Sequence, residues 1–282
     1  MSHATKITGA TRLYAIVGDP IAQVRSPETF TERFAAIGVD AVLVPAHVPA
    51  ERFDTIIPAL LALGNLDGVL VTVPFKARMA AFAQRLGATA KTIGAVNALR
   101  READGSWTGD MFDGVGFVRG AQAKGARLRD RRVALFGAGG AGSAIACALA
   151  DAGVASIDVI DTDASRATAL VDKLKSAFPG CALAAGKGVR EGSEGIDMVV
   201  NASPVGMRPD DGLPGSIGAL DPDTLVGDVV IAPTPTALIR HAVRCGCLWV
   251  DGRDMHGGQV EALIAFFGLA SRTEARARVA SQ

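Results

Sequence analysis

VALFGAGGAGSA, Val133 to Ala144, is an apolar run that breaks into glycines and resumes with small residues suited to the first turn of a helix. It reads as strand, phosphate-binding turn and helix. Gly137, Gly139 and Gly142 stand in G-x-G-x-x-G register. There the first glycine permits the tight turn, the second admits a pyrophosphate close to the backbone, and the third lets helix pack on strand. The N–H groups and positive dipole end of the helix then face the phosphates. Gly137, Ala138, Gly139, Gly140, Ala141 and Gly142 are therefore candidate cofactor contacts. On its own such a run also fits an ordinary glycine-rich turn. The residues beyond it narrow the reading. A helical stretch from Ala144 to Ala152 leads to a second apolar run, Ser156 to Ile160, ending at Asp161, the spacing at which a carboxylate meets the adenosine ribose. An aspartate there accepts from both ribose hydroxyls and repels a 2′-phosphate, which favours NAD and leaves NADP as the second choice. Asp163 adds to the repulsion, whereas Arg166 is either a phosphate partner or an exposed helix residue.

With 282 residues, 49% of them apolar, the chain can bury one large or two medium cores. Its 29 basic and 29 acidic residues balance, which removes the electrostatic case for nucleic acid or an anionic membrane surface as a partner. No apolar run has the length of a membrane span, and the opening MSHATKITGATR lacks the apolar core of a signal peptide, so the expected location is the cytoplasm. Cys147, Cys181, Cys245 and Cys247 form no C-x-x-C pair and suit reduced thiols. Cys245-x-Cys247 has no accompanying cluster of zinc ligands and reads as packing, so no metal site is expected.

Before the glycine turn the chain alternates strand and helix. Residues 1 to 12 are polar and expected to be loose. Leu13–Val17, Ala41–Pro45 and Asp67–Val73 read as strands, and Glu28–Ile37, Phe53–Leu63 and Met79–Leu86 as helices. Ser26 before Pro27 is placed to cap the first helix. Short strands are expected over Gly94–Leu99 and Trp107–Met111, then a helix opened by Asp113-Gly114 and running to about Lys124. The expected fold class is α/β in two domains. Residues 1–113 form an α/β domain with a mostly parallel sheet, completed by a C-terminal helical segment over 253–282. Residues 114–252 form a Rossmann NAD(P)-binding domain with further strands at Met198–Asn201, Leu225–Ile231 and Cys247–Val250 and a helix at Leu238–Cys245. The amphipathic segment Met255–Phe267 needs a partner for its apolar face, and packing on the first domain supplies one. A cleft between two such domains is where cofactor would meet substrate.

A nicotinamide enzyme acting on an alcohol needs a group to take the hydroxyl proton while hydride leaves the same carbon. Lys76 follows a strand end and Pro74, and Asp113 lies at a loop-to-helix turn, positions where function collects. Asn97 can bond a substrate hydroxyl. Taken singly, the three also fit a surface lysine, a helix-capping aspartate and a turn asparagine.

Five segments in order resemble the shikimate dehydrogenase family, including its quinate-using branch: GDPIAQVRSP (Gly18–Pro27), GVLVTVPFK (Gly68–Lys76), AVNAL (Ala95–Leu99), GDMFDGVGF (Gly109–Phe117) and FGAGGAGSA (Phe136–Ala144). NASPVGM (Asn201–Met207) and MHGGQ (Met255–Gln259) extend the likeness over nearly the whole chain. It implies an NAD(P)-dependent dehydrogenase of shikimate metabolism that interconverts a ring hydroxyl and a ketone. The substrate would be a small cyclic hydroxy acid and the protein a monomer or homodimer. Carried over by position, Lys76 and Asp113 become the catalytic pair, Asn97 and Gln259 substrate-hydroxyl contacts, and Ser26 and Thr72 pocket residues. Asn201, Met207, Ile231, Gly252 and Met255 join the glycine turn and Asp161 along the dinucleotide. The chain departs from the family pattern at Val24, where one of two serines is expected, at Leu70 for an asparagine, at Met111-Phe112 for Asn-Thr and at Ile231 for a tyrosine. Phe30-Thr31 stands for His-Asn, and His256 occupies a usually apolar position, where it is either a ligand contact or structural. A pocket with fewer polar groups would reward a polyhydroxy acid less. The alternatives are therefore a dehydrogenase for a less polar or amino analogue, or a non-catalytic NAD-binding sensor on the same fold.

Overall fold

The computed structural model describes residues 6–186 and 195–269. Residues 1–5 of the polar opening and 270–282 of the expected C-terminal segment lie outside them. The chain divides into two compact units, Met1–Met111 with Val260–Gln282, and Phe112–Gln259.

In the first unit, β1 (Arg12–Gly18), β2 (Ala41–His47) and β3 (Leu66–Val71) pair in parallel. The sheet continues with β4 (Arg85–Leu86), β5 (Ala98–Arg101) and β6 (Trp107–Asp110) in the order β2-β1-β3-β5-β6-β4. β5 runs antiparallel to both β3 and β6, and β4 runs parallel to β6. The helices are α1 (Ser26–Ala36), α2 (Phe53–Leu61), α3 (Lys76–Met79) and α4 (Ala88–Ile93). Ala15 and Val17 of β1 and Val69 and Val71 of β3 meet Phe53, Ile57, Phe75, Met79 and Leu99 in one core, while Tyr14, Ile16 and Leu70 are buried on the opposite face, so the central strands are covered on both sides. Gly68 lies against the rings of Tyr14 and Phe267, and those rings pack edge to face at 5.0 Å, which anchors the last described residues of the chain to this sheet.

The second unit is a fully parallel sheet of β7 (Arg132–Phe136), β8 (Ser156–Ile160), β9 (Ala182–Ala185), β10 (Met198–Asn201), β11 (Leu225–Asp228) and β12 (Trp249–Val250). Its order, β12-β11-β10-β7-β8-β9, reverses between β7 and β10. That is the doubly wound arrangement, in which ligands bind outside the carboxyl ends of the strands at the point of reversal. Its helices are α5 (Asp113–Ala123), α6 (Gly140–Asp151), α7 (Ala164–Ala177), α8 (Ala237–Cys245) and α9 (Gly252–Phe266), and the chain leaves the unit within α9. Among the described residues no helix is long and apolar enough to cross a membrane.

Five expectations need correction. The strand expected over Gly94–Leu99 begins only at Ala98, because Gly94 closes α4 in the left-handed conformation. Met79–Leu86 is not a helix: α3 ends at Met79, a 3-10 turn covers Ala80–Phe82, and Arg85–Leu86 is a strand. The Gln84 N–H donates to the Trp107 carbonyl at 2.8 Å, and the Gln84 side chain accepts from the Trp107 N–H at 2.7 Å. This distant pairing outweighs local helical preference. β11 stops at Asp228, short of Ile231, because the Asp228 carboxylate accepts from the Val230 N–H at 3.1 Å and turns the chain. α6 begins at Gly140, four residues before the expected Ala144. Ser26 does not cap α1 but is its first residue, and Arg25 holds the cap position without a side-chain bond. Besides the elements that replace Met79–Leu86, α4, α7 and β9 fall outside the expectations. α7 buries Ala167, Leu170, Val171 and Leu174, a one-faced spacing that fits an amphipathic helix.

Candidate functional site

In the first unit the backbone gathers three candidates at the carboxyl end of β3. Thr72 leaves β3 with its N–H bonded to the Val17 carbonyl at 2.9 Å, and its own carbonyl accepts from the Phe75 N–H at 3.1 Å. Lys76 heads α3 between Phe75 and Met79, both fully buried, so the core fixes where its side chain begins. The Lys76 carbonyl accepts from the Val96 N–H at 2.9 Å, and the next residue, Asn97, bonds through its carbonyl to the Val71 N–H at 2.8 Å. Thr72, Lys76 and Asn97 are thus neighbours in space. Gly18 allows this, since a Cβ there would overlap the Thr72 side chain. Ser26 is buried at the start of α1, the helix that follows β1. Leu70 and Met111, two of the departures from the family pattern, are buried side chains at 4% and 2% exposure, and their apolar character suits that burial.

In the second unit Asp113 heads α5 and is 3% exposed. It is the first helical residue, with Phe112 at the cap position, so a capping role does not explain it. Gly116, one turn on, lies against Met255 and Gln259, and Gly258 lies against the Gly116 carbonyl. The two helices α5 and α9 therefore approach closely enough to bring Asp113, Met255 and Gln259 into one neighbourhood.

The glycine turn has the geometry its register implies. Gly137 sits at φ 98°, a left-handed conformation open to glycine, and its N–H donates to the Ile160 carbonyl at 2.7 Å. A Cβ at Gly142 would strike the Gly137 carbonyl, whereas one at Gly139 would meet open space. The first turn of α6 has N–H groups without intrahelical partners beside that space, which suits a pyrophosphate. Asp161 joins this turn directly: one carboxylate oxygen accepts from the Ala138 N–H at 2.7 Å and the other from the Asp163 N–H at 2.9 Å. Asp163 caps α7 by accepting from the Ser165 N–H at 3.0 Å, and its bonds to Ser165 hold its carboxyl below the usual range. Arg166 stands 3.6 Å from Asp163 and is largely exposed.

Across the strand reversal, Asn201 ends β10 and is fully buried. Its amide nitrogen donates to the Val205 carbonyl at 2.8 Å and to Asp228 at 3.1 Å, and its oxygen accepts from the Ser203 N–H at 3.1 Å and hydroxyl at 2.6 Å. The side chain is committed to shaping the loop after β10. Ala202 and Ser203 of that loop back onto Gly137. Met207 is exposed, while Ile231 and the Val229 carbonyl pack against Gly252. Asp228 and Thr236 are functional candidates that the residue patterns did not single out. The available signal was a carboxylate inside the apolar run Leu225–Ile231.

Asp228 is 1% exposed, and burial lifts its carboxyl to about 6 against the pull of hydrogen bonds from Thr236, Val230 and Asn201, with the charge of Asp251 adding to the rise. Between about pH 4 and pH 6 the folded chain keeps a proton that the unfolded chain has lost. The contribution of this group is therefore full below pH 4 and is lost as pH rises through 6. Asp228→Asn resembles the protonated form at every pH. Urea melts should show wild type losing roughly 3 kcal/mol relative to this variant between pH 4 and 7. A difference that stays flat with pH would mean that Asp228 titrates as an exposed carboxylate does.

The model of the shikimate dehydrogenase substrate binding domain matches residues 16–99, and that of the ThiF family matches residues 117–170, which contain the glycine turn. A shikimate dehydrogenase (NADP(+)) of Rubrobacter xylanophilus is 36% identical over 266 residues, covering 94% of this chain and 93% of the relative. Two solved structures are each 30% identical to this chain. One is a shikimate 5-dehydrogenase from Listeria monocytogenes in complex with shikimate and NAD, with a TM-score of 0.78 and 92% of both chains covered. The other is a quinate dehydrogenase from Corynebacterium glutamicum in complex with NAD, with a TM-score of 0.80, covering 94% of this chain and 98% of that one. Sequence identity on this scale over nearly the whole length means that the chain belongs to the shikimate dehydrogenase family.

Proposed function

We propose that the protein is a cytoplasmic nicotinamide-dependent dehydrogenase that interconverts a ring hydroxyl and a ketone on a shikimate- or quinate-type acid, with NAD preferred over NADP. The observation that carries this reading is the grouping of Thr72, Lys76 and Asn97 at the carboxyl end of β3, in a chain of this family whose Asp113 is buried at the head of α5. Four free cysteines suit a reducing compartment. The open space at Gly139 beside the first turn of α6 fits a dinucleotide pyrophosphate. The bound nicotinamide would supply a two-electron acceptor for the hydrogen leaving the ring carbon.

The chain supplies the rest. Lys76 and Asp113 take the hydroxyl proton as the carbonyl forms and return it in the reverse direction. Asn97 and Gln259 orient ring hydroxyls, and Ser26 and Thr72 offer hydroxyls to the acid. Asp161 accepts from the adenosine ribose, and its charge disfavours a 2′-phosphate. The NAD-bound neighbours accord with this choice, whereas the Rubrobacter relative is named for NADP.

Absorbance at the reduced-nicotinamide band, with shikimate and quinate each offered with NAD and with NADP, tests the reading. Turnover of at least one acid that is highest with NAD is the expected result. Binding of NAD without turnover of either acid would overturn the substrate assignment and turn attention to less polar ring alcohols, amino analogues or a sensor.

A further inference from the structure

We propose that Asp228 is a positioning residue for the nicotinamide half of the dinucleotide, acting through Asn201 and Thr236 to hold together the loops that follow β10 and β11. The proposal rests on the dehydrogenase reading above. Its geometry lies wholly within the second unit.

Asn201 and Asp228 are the last residues of adjacent parallel strands, so their side chains stand at the sheet edge where a doubly wound fold binds its ligand. One Asp228 oxygen accepts from the Asn201 amide at 3.1 Å and from the Val230 N–H at 3.1 Å, and the other from the Thr236 hydroxyl at 2.7 Å. Thr236 in turn caps α8, accepting from the Ile239 N–H at 3.2 Å. Asn201 closes the loop over Ser203–Val205, and Asp228 closes the one over Val230–Thr236. All three side chains are buried. Burying a carboxylate costs free energy unless its partners compensate, and here the partners are the strand end that leads into the first loop, a backbone N–H of the second and the cap of the helix that follows it.

The two loops touch the glycines on either side of them. Ala202 and Ser203 lie against Gly137 of the phosphate turn, and Val229 and Ile231 lie against Gly252. Gly206, at φ 103°, lies against Thr236 and Val230, so the two loops also touch each other. Asp161 stands on the β8 side of the strand reversal and the Asp228 network on the β10 and β11 side. A dinucleotide whose phosphates rest on the glycine turn and whose adenosine ribose meets Asp161 extends its other half over β10 and β11.

The test compares ADP-ribose, which lacks the nicotinamide, with whole NAD, by calorimetric titration of the full chain. Thr236→Val should weaken NAD about tenfold and lower kcat, while ADP-ribose binds within about twofold of wild type. Thr236→Ser, which keeps the hydroxyl, should restore both. If valine prevents folding, Asp228→Asn carries the same test, with an expected loss of about threefold confined to NAD. Equal weakening of both ligands, or of neither, would overturn the positioning role while wild type still turns over its substrate. Wild type that binds no dinucleotide would instead bring down the dehydrogenase reading, and this proposal with it.

Discussion

Lys76→Ala should lower turnover about a thousandfold and leave the dissociation constants of NAD and NADP within about twofold of wild type. Loss of a proton-transfer group costs about 10² to 10⁴ in rate, and nothing else should change much at this position. The backbone of Lys76 is set by Phe75 and Met79, whose side chains fill the core, and by the bond from Val96, and all of these persist in the variant. The glycine turn and Asp161, the proposed dinucleotide contacts, belong to the other unit. Asp113→Asn keeps the shape of a side chain that is 3% exposed while exchanging a charged acceptor oxygen for an amide, so a loss of similar size there comes from its charge and hydrogen bonding and not from packing. The double variant decides whether the two act as one device. Groups that share a single proton transfer are non-additive, and the double loss should then exceed the larger single loss by no more than about threefold. Single-turnover absorbance at the reduced-nicotinamide band reads all three. Multiplying losses, towards a millionfold, would mean that Lys76 and Asp113 serve separate steps.

Local patterns carry a good share of the fold, and their failures are physical ones. β8 and Asp161 are legible because a strand and its terminal carboxylate follow the glycine turn at a spacing set by one helix. Met79–Leu86 has a helical pattern but does not form a helix, because Arg85 and Leu86 pair with Thr108 and Gly109, more than twenty residues on, and no local pattern reports such a partner. Ser26 and Asp113 look like caps in sequence, since small polar residues precede helices so often, yet each is the first residue inside its helix. Asp228 is the clearest omission. An aspartate at a strand end reads as a turn residue, and its burial depends on Asn201 and Thr236, which only the folded sheet brings to it.

Cofactor choice is the second large effect, and the structure alters how it must be measured. Asp161 is bonded to the Ala138 and Asp163 N–H groups, so it holds the glycine turn in addition to its proposed contact with the ribose. Asp161→Ala therefore leaves two amides without their partner and should weaken NAD and NADP alike through the turn. Over that common loss, NAD alone forfeits hydrogen bonds from its ribose hydroxyls to a charged acceptor, about 1.5 to 3 kcal/mol, and NADP gains by the removal of a repelling carboxylate. Arg166, exposed beside Asp163, is then a cation at hand for a 2′-phosphate. The ratio of kcat/KM for NAD to that for NADP should fall by about a hundredfold. Asp161→Asn separates the two roles, because its amide oxygen can still accept from one backbone N–H while the charge is gone. It should keep more of the common affinity than alanine does and still shift the ratio towards NADP. Steady-state kinetics with both cofactors at saturating substrate supplies the numbers. A ratio that stays constant in both variants would confine Asp161 to supporting the glycine turn and leave the proposed preference for NAD without its cause.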